Sequence, residues 1–272
     1  MVVMICCALA IVLALVAIWR WGTIDATAPE GSALARYLWH LNVGVSAGLM
    51  AGLLVAGPGG RLVMRLLAAT AGDPAQGRLT EADEVVGRIT VNGTIGFIVF
   101  VGLFGGLLSG VLYMLLRRWL PPGRLGGLVF GALLAVALAP RIDPLRSNNP
   151  DFDLVGPGWL AIAAFCALLL LHGVAVATFV ARFRSTQPLL GLSPRAVARY
   201  LPLGLALLVA PLALAAVIGG LVFGAAERMP VLTARLRARS AMLVARVLIA
   251  AGTLVALPAF LDALTDIAGR GP

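Results

Sequence analysis

The chain has 272 residues, 61% of them hydrophobic and 12% charged, with a mean hydropathy of +1.00. Soluble domains carry roughly 25% charged residues, so this composition excludes an ordinary water-soluble domain. The formal net charge is +9 and all 21 basic residues are arginine, which excludes lysine chemistry: a Schiff base to retinal or pyridoxal phosphate, or a Walker-type phosphate loop.

A helix crossing the hydrocarbon core needs about 20 apolar residues. The first such run covers about 2–19; it has no basic segment before it and reads as a retained span. Trp19 and Trp21 close it at the head-group level. Cys6 and Cys7 within it, like Cys166 later, read as small buried hydrophobes, and no metal-ligand spacing occurs anywhere. The second run, 38–57, opens at Trp39 and carries Gly44, Gly48 and Gly52, a ridge of small residues on which another helix can pack closely. It also contains "GVSAG", the string of serine hydrolases, with Ser46 at its centre. "GPGGRLVMRLLAAT", residues 57–70, follows. Pro58 and the glycines are expected to end the span, and Arg61 and Arg65, four apart, to share one face of a short surface helix suited to an anion.

Residues 58–95 read as a structured loop, a packed cap or binding element more than a linker. Thr80 with Asp83, then Val85, Val86 and Ile89, predict a short amphipathic helix, and "VNGT", residues 91–94, a turn into the third run. Glu81, Asp83 and Glu84 are the expected partners of Arg61 and Arg65. The third run, 96–116, has its own ridge of Gly102, Gly106 and Gly110. A short fourth run, 125–140, leads to "NNPDFD", which lacks the glycine and glutamate of a calcium loop and reads as a turn-rich connector. The remaining runs are 158–180, with His172, then 200–225, where Pro202 and Pro211 predict a kink, then 241–261. Arg235, Arg239 and Arg246, spaced by four and seven, share a face if helical; they are candidates for a polar groove or lipid phosphate contact, the alternative being side chains that snorkel to the surface.

These elements predict an all-α polytopic transmembrane bundle of seven spans. Links 117–124 and 181–199 carry arginines and no acid, which places them in the cytoplasm. Seven spans then put 227–240 outside despite its four arginines; the alternative is six spans plus a re-entrant segment at 200–225, with both termini outside.

Two functional readings remain open. Arginine keeps its charge and pairs bidentately with phosphate, so the first is a non-enzymatic protein binding anionic lipid or a small anion, in transport or as a subunit of a membrane complex. It needs no cofactor or metal, and its partners are membrane lipids, a second copy or a complex partner. The arginines lie between apolar runs instead of forming one face, which argues against nucleic acid. The second reading is an intramembrane hydrolase, with Ser46 as nucleophile and His172 as base at similar depth.

"GRLVMRLLA", "GRLTEADEVVG" with the following "NGT", and "NNPDFDLVGPGWLA" together resemble a family of uncharacterised bacterial multipass membrane proteins. The resemblance covers the first two thirds of the chain. It implies a helical bundle in the bacterial plasma membrane and a pairing of those two loops, and it implies no catalytic residue.

Overall fold

The computed structural model describes residues 1–21, 29–191, 193–207, 210–229 and 238–271, and omits the side chains of 210–212. Its elements are helices: α1 (Val2–Trp21), α2 (Ala33–Thr70), α3 (Val91–Leu116), α4 (Gly123–Ala137), α5 (Gly158–Thr186), α6 (Pro194–Arg199), α7 (Leu201–Leu207), α8 (Ala210–Glu227) and α9 (Arg239–Ala268). Among the described residues there is no strand, only an isolated bridge between Leu79 and Val85. Five helices, α1, α2, α3, α5 and α9, are long and apolar enough to cross a membrane, whereas α4 is shorter.

The largest departure from the sequence reading lies in α2. "GPGG" does not end the helix; Gly57, Pro58, Gly59 and Gly60 are buried inside a continuous 38-residue element. The physical reason is the π-helical segment Gly52–Ala56 just before Pro58. Proline lacks an N–H and collides with the carbonyl four residues earlier, and a widened turn at that place absorbs both defects. Arg61 and Arg65 therefore sit in the last third of a membrane helix, not on a separate surface helix.

α3 contains a second π segment, Ile98–Gly105, packed against the first. The two helices run antiparallel with glycines in contact. A methyl on Gly48 would strike the backbone of Gly106 and Gly110, one on Gly52 that of Gly102, and one on Gly110 that of Gly44. Only hydrogen fits, and the backbones approach accordingly. α4 packs along α5 and against α9, so α3 and α4 flank α5 without forming an interface with each other. Near the C-terminal end of α3 the Tyr113 and Phe130 rings make an edge contact at 5.2 Å.

Between α2 and α3 the expected amphipathic helix is not formed. Asp83 has φ 57 and Gly87 φ 84, so the chain turns twice, with Thr80 Oγ1 accepting from the Glu84 amide (3.1 Å). "VNGT" is already the first turn of α3, capped by Thr90, whose hydroxyl accepts from the Gly93 amide (3.1 Å).

The run 200–225 is two helices, α7 and α8, and the point between them lies outside the described residues. Both lean on the first half of α2. Tyr200 donates to the Pro188 carbonyl (3.0 Å), and Leu203 and Ala206 pack with Val45 and Leu107. Tyr37 donates to the Ala216 carbonyl (2.5 Å), and Arg36 pairs with Glu227 at 2.5 Å. Glu227 is thereby brought back to the end of the bundle where Tyr200 starts. The same end holds Arg182 over the Trp21 ring, Arg184 over Trp39, and Arg124 donating to the Ile18 carbonyl (2.6 Å).

Candidate functional site

Because α3 and α4 diverge away from the Tyr113 and Phe130 contact, a cleft of about 950 Å³ opens between them, backed by α2 and α5. Its body is apolar: Phe97, Phe100, Leu108, Leu134, Phe165 and Leu169 line it. Phe100 and Leu108 are also exposed on the outer surface of the bundle, so the cleft is open sideways.

One end is polar, with Arg61, Arg65 and Arg88 on its rim. Arg61 Nε donates to Thr94 Oγ1 (3.2 Å) and Arg65 Nη1 to the Gly87 carbonyl (3.0 Å). Neither guanidinium has a carboxylate partner among the described residues. The acids expected to pair with them are used elsewhere. Glu81 is bound to Arg146, Glu84 accepts from the Thr90 hydroxyl (2.9 Å), and Asp83 is exposed in its turn.

Those pairings join the two loops at this end. Asp151 accepts from the Glu81 amide (2.7 Å), the Thr70 hydroxyl donates to the Gly156 carbonyl, and Arg270 pairs with Asp153 at 2.7 Å. Asn149 caps the short turn Pro150–Asp153 by accepting from the Asp151 amide (2.8 Å), so "NNPDFD" is a connector, and no metal-holding cluster occurs among the described residues. Burial pushes the Asp143 and Asp151 carboxyls above the usual carboxylate range; Arg146 opposes this at Asp143 and the Glu81 amide at Asp151. Three acids thus share Arg146, which leaves the loop side acidic and the α2 side basic.

The other end of the cleft is closed by Ser109 and His172, both buried. Ser109 Oγ lies 2.8 Å from His172 Nε2 and 2.9 Å from the Gly106 carbonyl. The roles follow the imidazole tautomer: with Nε2 protonated, His172 donates to the hydroxyl and the hydroxyl to the Gly106 carbonyl, whereas with Nε2 bare the hydroxyl has one proton for two acceptors. His172 Nδ1 faces the Ala51 backbone without a well-formed hydrogen bond. Fifteen residues of α3 separate Thr94 from Ser109, which puts this pair about 20 Å from the arginine rim.

The Ser46 and His172 dyad is therefore corrected: His172 is paired with Ser109, while Ser46 Oγ is buried with no partner. "GVSAG" lies in regular helix with no strained turn, and Gly44 and Gly48 are occupied in packing on α3. Ser109 was invisible to motif reading because its partner is 63 residues away on another helix. Arg246 is exposed, donating to the Trp119 carbonyl (3.1 Å), and Arg239 is exposed at the start of α9; neither lines the cleft. Arg235 lies outside the described residues. No family model matches the chain, and no curated protein or solved structure matches it either.

Proposed function

We propose that this is a multipass protein of the bacterial plasma membrane that binds an anionic amphiphile, with the anionic group at Arg61 and Arg65 and the apolar body in the cleft. The carrying observation is the pairing of two guanidiniums that lack carboxylate partners with an apolar cleft open toward lipid. Arg61 is half-buried and Arg65 exposed; a half-buried guanidinium gains from an anion, and phosphate suits the geometry of both. A role in lipid transport accounts for the side opening. A subunit role drew on the glycine ridges, and these are consumed inside the bundle between α2 and α3. The Ser109 and His172 pair lies about 20 Å from the head-group level, which speaks against ester hydrolysis of the same ligand. Co-purifying anionic lipid, read by native mass spectrometry, is expected to fall at least about tenfold in Arg61→Ala with Arg65→Ala, since each charge-assisted hydrogen bond contributes ~1.5–3 kcal/mol. Unchanged retention would sink the reading.

The membrane arrangement belongs to the same proposal. With 200–227 entering and leaving at one end, the arginine-rich links 117–124 and 181–199, and Arg228 and Arg239, fall on a single side. That side is cytoplasmic by the positive-inside rule, which gives six spans and a re-entrant pair and removes the conflict at 227–240. In a background lacking Cys6, Cys7 and Cys166, an impermeant maleimide should label Asn148→Cys on intact cells, and Ser193→Cys and Ser240→Cys only after permeabilisation. Labelling of Ser240→Cys on intact cells would restore seven spans.

A further inference from the structure

α3 carries glycines on two faces. Gly102, Gly106 and Gly110 are required by contact with α2, since a methyl on any of them would meet backbone atoms. Gly96 and Gly105 are different: both line the cleft, and a methyl on either would meet no atom within 4 Å. Gly105 has ordinary helical φ and ψ of −62° and −40°, so its backbone has no need of glycine. Packing and conformation therefore leave these two positions unexplained, and what they share is the open volume in front of them.

The boundaries of that volume are specific. Behind it, the glycine contacts seal α2 against α3. At its far end the Ser109 and His172 hydrogen bond ties α3 to α5, and Tyr113 against Phe130 ties α3 to α4. At its near end stand the arginines of α2. The remaining side, between α3 and α4, is bordered by Phe100 and Leu108, which are 71% and 47% exposed. A ligand dissolved in water meets the polar end, whereas one dissolved in lipid meets the whole length of the side opening.

We infer that the cleft is a side-loaded acyl-chain site: a phospholipid of the leaflet at the loop end slides between α3 and α4, its phosphate at Arg61 and Arg65 and one chain laid over Gly96 and Gly105. The length agrees with this. About 20 Å of α3 from rim to floor accommodates roughly 15 carbons of an extended chain, in which a carbon–carbon bond of about 1.5 Å advances about 1.3 Å along the zigzag. The inference rests on the lipid-binding reading and adds the route of entry and the seat of the chain.

The test uses the full chain in vesicles containing phosphatidylglycerol with a photoactivatable diazirine at the end of one chain. Label should be recovered on peptides holding Gly105–Leu112 and Phe165–His172. Gly105→Phe fills the seat and should reduce that label about tenfold, with Gly105→Leu reducing it less. Gly252→Phe, at a glycine of α9 that also faces open space, should match the unsubstituted protein. Label spread evenly over α1 and α9, indifferent to Gly105→Phe, overturns the side-loaded seat while loss of anionic lipid in Arg61→Ala with Arg65→Ala still upholds the lipid reading. No recovery on the cleft together with unchanged lipid in the arginine variant overturns both. Inorganic phosphate that displaces the photolipid at millimolar concentration would show a free anion to be the occupant and overturn the inference as well.

Discussion

Gly48→Leu is expected to abolish the folded bundle, seen as loss of the monodisperse peak in detergent size-exclusion chromatography. The added side chain has nowhere to go: its first carbon would already overlap the Gly106 carbonyl and crowd Gly110. The obstacle is the backbone of a second membrane helix, so relief requires α2 and α3 to separate by more than a side-chain rotation. Overpacking in a core where side chains can adjust costs ~1–3 kcal/mol, and a backbone clash lies above that range. Gly252→Leu, at an open position on α9, should leave the peak unchanged.

Trp39→Ala is expected to destabilise the protein by on the order of 3 kcal/mol, the usual range for removing a large buried aromatic. Thermal unfolding in detergent, monitored by retention of the folded peak, reads this out. Trp39 is fully buried; its Nε1 donates to the Gln187 carbonyl (2.9 Å), and Arg184 lies over its ring at 5.9 Å. It thus holds the start of α2 to the end of α5, where α5 gives way to the link toward α7. Trp39→Phe should recover most of the packing but not the hydrogen bond to Gln187, and so fall between the two.

Trp39 also marks how far the sequence could be read. As a tryptophan at the boundary of an apolar run it belonged to the interfacial belt, and Trp19 and Trp159 are indeed exposed, at 79% and 62%. Boundary position says how deep a residue lies but not which way it points, and Trp39 points inward. The helical class and the apolar runs follow from composition and from the length of the hydrocarbon core, so they were legible. The glycine spacings were legible as close-packing faces; that they meet each other is a property of the assembled pair. Arg61 and Arg65 were legible as two arginines one helical turn apart, but that the nearby acids would not pair with them was not. Glu81 is committed to Arg146, 65 residues away, and no local rule foresees that competition. The run 200–225 was ambiguous for a related reason: proline and apolar length fit both a kinked span and a hairpin, and the contacts of Arg36 with Glu227 and of Tyr37 with Ala216 could not be foreseen from them. Ser109 and His172, and the open glycines of α3, needed the structure altogether.

The π segment Gly52–Ala56 sets the azimuth of everything after it. A single π bulge holds one residue more than an α-helix would use, and each residue of an α-helix advances the side-chain direction by about 100°. Were α2 regular throughout, the face of Gly44 and Gly48 could still lie on α3, but Arg61 and Arg65 would be swung round the helix by roughly that angle. The bulge lets one helix present two unrelated faces in succession, glycine for the first half and arginine for the second. A sequence register counted from either half alone therefore misplaces the other.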